Sequence, residues 1–309
     1  MKRAMGIFFF VLIVMSAYGQ TKYKDAKALF EQKKFKKAME MIDKDIDERG
    51  FLEDNAVLKT RIGMYIPGDI SFETIQKAIK AFPESAKVYH ARAILYYEMR
   101  DLKSSILDDS KALELCTDDS LKLDILISRG GCYHHLEQIE NSIRDCRAAL
   151  ELRPASIEIL NNLSTALFDK GESVESMEIL EKIKRIDPKF MGSYINLGYQ
   201  NQQLKRYAEA ERQLLEGLKI DPNDAYILNN LGFVQHNLGK SAEGIKNINK
   251  SIKVNPRNSY CFRNLALIYL DQNEKNKACE NIHKALDLGF SSMYGSEMTE
   301  LSHKHCLRK

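Results

Sequence analysis

Lys219-Ile220-Asp221-Pro222 closes a phrase that recurs along the chain. It stands upstream as Arg185-Ile186-Asp187-Pro188 and Glu151-Leu152-Arg153-Pro154, and downstream as Lys253-Val254-Asn255-Pro256, each 34 residues from the next. A second series keeps the same period: Asn162-Leu163-Ser164, Asn196-Leu197-Gly198, Asn230-Leu231-Gly232 and Asn264-Leu265-Ala266. Two independent series locked to one period mark an array of structural repeats. Within one period, Ile159, Leu160, Leu163 and Leu167 recur at helical spacing, with Ser164 as a small residue among them. Gly171 and the following Glu172-Ser173 read as a turn. Met177, Leu180 and Ile183 then share one face of a second helix, and Pro188 biases Asp187 out of helical geometry. The unit is helix, turn, helix, stop.

The segment 191–224 carries Tyr194, Leu197, Gly198, Tyr207, Ala210 and Pro222. In these residues it resembles a tetratricopeptide repeat, whose helix pairs place a Leu-Gly step, an interhelix aromatic, an early alanine and a closing proline in the same order. Gly198 and Ala210 allow the helices to cross closely, and Tyr194 and Tyr207 fill the remaining gap. The resemblance implies an all-α fold: a right-handed superhelix, or α-solenoid, of about eight helix pairs with a C-terminal capping helix.

Five regular units occupy 123–292, starting at Leu123, Ile157, Met191, Ala225 and Ser259. The unit at 86–122 keeps Tyr89, Ala93, Tyr96, Leu102 and Ala112, has Ser105 in place of the usual alanine, and ends in a short insertion at 120–122. Residues 20–85 hold two degenerate units, one with Ala26, Phe35 and Ala38, the other ending at Pro83 after a long turn from Gly63 to Asp69. Phe290 replaces the closing proline of the last unit, and a capping helix and tail are expected over 293–309. This last repeat resembles those of exported bacterial proteins of the family and has a Sel1-like character.

Residues 1–19 read as a secretory signal peptide: Lys2 and Arg3, the apolar run Ile7 to Met15, then Ala17-Tyr18-Gly19 as a small-x-small cleavage site. The run is far shorter than the ~20 apolar residues of a membrane span. The expected location is therefore periplasmic or extracellular. The formal charge of +3, reduced further when Lys2 and Arg3 are removed, gives no bulk reason to hold nucleic acid. The lysines from Lys22 to Lys37 are interleaved with apolar residues and read as a solvated helix face. In an exporting route cysteines can pair. Cys279 with Cys306, on the last repeat and its cap, and Cys132 with Cys146, on the two helices of one unit, are the pairs able to do so.

The resemblance further implies that Asn162, Asn196, Asn230 and Asn264 point into a concave groove. An amide donates to a peptide carbonyl and accepts from a peptide N–H at once, so four in register could hold an extended backbone without reading its sequence. This is similar to an asparagine ladder found in that family; the competing reading is that the amides serve helix–helix geometry. Phe168, Tyr199, Tyr226, Phe233 and Tyr260 are expected along the same side, suiting a partly apolar peptide or a partner helix. The family's clamp for a terminal carboxylate needs several cations, and the matching slots here hold His90, Ile127, Asn161, Ile195 and Asn229, with Arg263 alone as a cation.

No metal or cofactor is expected. His134 and His135 are adjacent, so on a helix they diverge by about 100° and make a poor chelate. His303, His305 and Cys306 have no fourth ligand near them in sequence. No nucleophile elbow, phosphate loop or zinc-protease motif occurs. The reading is a non-enzymatic exported scaffold that binds a protein or extended peptide in its groove, with Asn196 and Asn230 as central contacts. An envelope or secretion-assembly subunit docking through its N-terminal units is the alternative. A surface glycan-binding component is a weaker one, since the chain lacks tryptophan.

Overall fold

The computed structural model describes residues 21–306; the signal peptide expected over residues 1–19 and the last three residues lie outside that range. Among the described residues the regular structure is entirely helical. The helices succeed one another as pairs: α1 (residues 21–31) with α2 (Phe35–Arg49), α3 (Glu53–Gly63) with α4 (Ile70–Ala81), α5 (Ala86–Glu98) with α6 (Leu102–Leu115), and α7 (Asp119–His135) with α8 (Ile139–Leu152). They continue as α9 (Ile157–Lys170) with α10 (Ser173–Ile186), α11 (Met191–Gln203) with α12 (Tyr207–Ile220), α13 (Ala225–Asn237) with α14 (Ser241–Val254), and α15 (Ser259–Asp271) with α16 (Lys275–Asp287). Two short helices, α17 (Phe290–Tyr294) and α18 (Glu297–His305), close the chain. This is the all-α array of eight pairs plus cap read from the period.

The turns inside seven of the eight pairs share one device. Lys33, Arg100, Glu137, Gly171, Lys205, Gly239 and Asn273 each adopt a positive φ between their two helices. At Lys205 the next two amides complete the stop: Lys205 N–H donates to Gln202 O at 2.9 Å and Arg206 N–H to Asn201 O at 2.8 Å. That left-handed C-cap satisfies carbonyls that the helix end would leave open. The sequence shows the device plainly only where glycine occupies the slot; charged residues fill it elsewhere, at a steric cost.

Residues 120–122, expected as an insertion between units, form part of the first turn of α7, which Asp118 caps by accepting from Leu121 N–H at 2.7 Å. The added turn lengthens the helix and leaves no loop.

Contacts divide the described residues inside α9 into two compact units, one ending at Ile159 and the other beginning at Leu160. The first unit buries carboxylates against arginines. Arg92 grips Asp108 through two bonds of 2.7 and 2.8 Å, and Arg129 grips Asp145 through two of 2.8 Å. Asp109, fully buried, meets His90 Nδ1 at 2.7 Å. Paired arms of this kind spare the buried charges an uncompensated desolvation.

In the second unit the core is apolar and depends on close approach. Tyr194, Ala210, Leu214, Ile227, Leu231 and Val234 form one buried cluster with Tyr207 against it. A Cβ on Gly232 would stand 2.5 Å from the backbone carbonyl of Gly244, so that position requires glycine, whereas one on Gly198 would stand 2.5 Å from the Leu214 side chain and force it to shift. The array ends at the cap. Phe290 and Met298 are buried against Ala266, Ile282 and Ala285, covering the apolar face that a terminal repeat otherwise exposes. Cys279 of α16 and Cys306 after α18 are joined by a disulfide, with Cα atoms 5.4 Å apart.

Candidate peptide-binding face

In the second unit the first helices of the pairs, α9, α11, α13 and α15, present the residues singled out from sequence. Asn162 is exposed, Asn196 and Asn230 are half-buried, and Asn264 is 4% exposed. The amides of Asn196 and Asn264 have partners in the preceding unit. Asn196 Nδ2 donates to Asn161 Oδ1 at 2.9 Å, and Asn264 Nδ2 donates to Asn229 Oδ1 at 3.1 Å. Asn264 Oδ1 also accepts from Arg263 Nη1 at 3.0 Å. Each bond crosses from one unit of the array to the next, between residues 35 apart in sequence. Between α11 and α13 the equivalent bond is missing, because the residue facing Asn230 in this register is Ile195. Asn196 and Asn264 are thus engaged within the chain, while Asn162 stays exposed. Two of its four members are rungs that join consecutive units, the competing reading of the sequence. Asn161 and Asn229, their acceptors, were not among the residues expected to bind.

The aromatic residues are the open part of the face. Tyr199 is 43% exposed and Tyr226 56% exposed. Phe168 and Tyr199 meet edge to face with ring centroids 6.1 Å apart, and the Arg263 guanidinium lies 5.7 Å from the Phe233 ring centre. Burial raises the Tyr199 hydroxyl above its ordinary pKa, the negative charge of Asp169 adds to this, and Arg263 opposes it. Tyr260 is likewise raised, chiefly by burial and next by Tyr199. These influences place Tyr199 of α11 in one neighbourhood with Tyr260 and Arg263 of α15. Aromatic rings there give a ligand large contact area at low conformational cost.

Tyr260 differs from the role expected of it. Its ring packs on the cap, 4.5 Å from Tyr294 and 5.3 Å from Phe290, so it forms the end wall of the face. Arg263 is committed there too: Nε and Nη2 each donate to a Glu297 carboxylate oxygen at 2.8 Å. Glu297 and Tyr294 were missed in sequence. The period held the signal, because Glu297 follows Arg263 by 34 residues, and α18 thus stands where the first helix of another unit would begin.

The expected thiol pairing is corrected for one pair. Cys279 and Cys306 are bonded, while Cys132 and Cys146 are free and buried. Cys132 turns instead to α6, its sulfur 3.4 Å from Ser105 Oγ. Among the described residues no group of three His, Cys, Asp or Glu side chains converges as a metal-ligand set, and no helix is long and apolar enough to cross a membrane.

Comparison with known proteins follows this geometry. Residues 202–239 match the family described as TPR repeat, and residues 123–156 and 225–258 match the one described as Tetratricopeptide repeat. The peroxisomal targeting signal receptor of Candida albicans is 28% identical over 101 residues, covering 33% of this chain and 17% of the receptor. The Hsp70-Hsp90 organising protein of Plasmodium falciparum is 32% identical over 85 residues, covering 28% of this chain and 34% of that protein. The matches thus span about a third or less of these curated relatives. A tetratricopeptide repeat protein from Parabacteroides merdae has the same fold, with a TM-score of 0.63 over 92% of this chain and 98% of that one, at 16% identity. The chain carries tetratricopeptide repeats in both of its compact units.

Proposed function

We propose that this protein is a non-enzymatic, exported scaffold that binds an apolar segment of a partner protein, as a peptide or a helix, across α9, α11 and α13. Tetratricopeptide repeats generally serve protein or peptide binding, and the observation that carries the reading here is the aromatic row. Tyr199 and Tyr226 are exposed, Phe168 is half-buried against Tyr199 and Phe233 is half-buried, while the amides of Asn196 and Asn264 are already bonded to Asn161 and Asn229 of the preceding units. Recognition then rests on side-chain contact with the rings.

A grip on a free terminal carboxylate, as in some repeats of this family, is disfavoured because Arg263 is already neutralised by Glu297. Export is supported by the reading of residues 1–19 and agrees with the disulfide between Cys279 and Cys306.

A peptide-display selection on the full chain tests the proposal. Selected apolar peptides should lose about tenfold or more in affinity on Tyr199→Ala or Phe233→Ala. Asn162→Ala should leave affinity unchanged. Equal binding by both aromatic variants would sink the assignment.

A further inference from the structure

We infer that the corner between α1 and α2 is a second docking site, which takes an acidic segment of a partner protein bearing an apolar or aromatic side chain. It lies in the first unit and is independent of the face proposed above.

Lys33, Lys34, Lys36 and Lys37 surround Phe35, and together with Tyr65 they line a recess of about 420 Å³. All four lysines are exposed. Local geometry produces this arrangement. Lys33 takes the left-handed turn conformation, with φ 58°, and Phe35 opens α2 directly after it, so lysines fall on both sides of one ring. The long turn after α3 then brings Tyr65 over that ring. Phe35 and Tyr65 stack with centroids 4.5 Å apart and planes within 9°, and Phe30 lies 5.8 Å from each. Tyr65 nevertheless remains 58% exposed, a large ring left open at the mouth of the recess.

Charge identifies the occupant. Several lysines elsewhere in the chain meet carboxylates: Lys59 with Asp43 at 2.6 Å, Lys87 with Asp54, Lys184 with Glu216 and Lys240 with Glu211 at 2.9 Å. Among the described residues none of the four at the recess has a carboxylate partner; Lys34 donates only to the Gln32 amide oxygen, at 2.7 Å. Like charges so crowded repel one another, and a carboxylate-bearing segment relieves them. The rings add what a simple counter-ion does not use, an apolar wall for one side chain. A recess of this size accepts one or two side chains. It suits a peptide better than a flat bilayer or a nucleic acid, which needs a longer basic track.

Fluorescence anisotropy with the full chain tests the inference. The probes are a labelled Glu/Asp peptide with a central Phe, the same peptide with Gly for Phe, an oligothymidine, and vesicles containing phosphatidylserine. The Phe-containing acidic peptide should bind best and weaken as salt is raised. Lys36→Glu with Lys37→Glu should cost about tenfold or more. Tyr65→Ala should abolish the preference for Phe over Gly, and Tyr199→Ala should change nothing, which separates this site from the other face. Circular dichroism confirms that the variants fold, as expected for exposed positions. Equal affinity of wild type and the double variant, absence of peptide binding, or binding only to the oligonucleotide or vesicles would overturn the inference.

Discussion

Asn196 of α11 donates its amide to Asn161 of α9 at 2.9 Å, although the two stand one residue out of register with the repeat. The bond is part-buried and joins two units, so it acts on stability. Asn196→Ala or Asn161→Ala should lower the unfolding free energy by about 1 kcal/mol, and the double variant by little more than either alone. Urea denaturation with hydrogen exchange at α9 and α11 measures this. Additive losses would show that the pair is not an energetic unit.

The turns offer a gain. Lys205 holds φ 57° where Gly171 and Gly239 fill the equivalent slot in their own units. Lys205→Gly relieves the steric cost of a side chain there and should raise stability by up to about 1 kcal/mol. Gly171→Ala imposes that cost and should lower stability by about 1 kcal/mol. Thermal unfolding of the two variants should therefore shift in opposite directions.

Thiol chemistry separates the cysteines. Burial pushes the Cys146 and Cys261 thiols up to about 11 and also raises Cys132, so these three are unreactive near neutral pH. Cys116 is partly exposed. Alkylation of native, unreduced protein should label Cys116 alone. Denaturation should add Cys132, Cys146 and Cys261, and only reduction should release Cys279 and Cys306. Intact mass reads each step, and labelling of all six cysteines without reductant would refute the disulfide.

Reduction also loosens the cap. The bridged residues are 27 apart, and closing a loop of that length contributes about 3 kcal/mol in the chain-entropy account. Reduced protein should show faster amide exchange across α18, with α9 to α14 unchanged.

Acid should weaken α12 and, through Glu216, its tie to α10. Glu216 is held below its ordinary value of 4.5, first by its hydrogen bond from Lys184, and Glu209 likewise, first by its bonds from Arg212. A carboxylate whose folded pKa is depressed stabilises the fold above its ordinary value, and the contribution is lost as pH falls through the folded pKa. Both groups are partly exposed, so the loss is about 1 kcal/mol or less. Glu216→Gln should flatten the fall of melting temperature below pH 4.5.

The repeat was legible because proline and the Asn-Leu step are local signals that survive without knowledge of neighbours. Gly171 revealed one turn for the same reason, whereas Lys205 and Glu137 concealed theirs behind side chains that do not advertise a left-handed backbone. The binding face was legible only in outline. Tyr199 and Phe233 lie on the first helices of their pairs as read, but the fate of each asparagine depends on the residue one slot back in the preceding unit, a relation no single repeat displays. The lysines at the α1–α2 corner are exposed, as the solvated face read from the sequence requires. What the run could not show is Tyr65, far along the chain, stacked beside Phe35.

The rungs are unevenly spaced. They tie α9 to α11 and α13 to α15, while Ile195 leaves α11 and α13 joined through Tyr194, Leu214, Ile227 and their neighbours. Apolar contact resists separation but sets no direction, so it tolerates sliding where a hydrogen bond does not. Polar ties do cross between these two pairs, but at their far side, where Lys240 Nζ meets both Glu211 carboxylate oxygens at 2.9 Å. Tyr199 and Phe233 stand on α11 and α13, so a ligand of the proposed kind would add a tie on the side that lacks an amide rung.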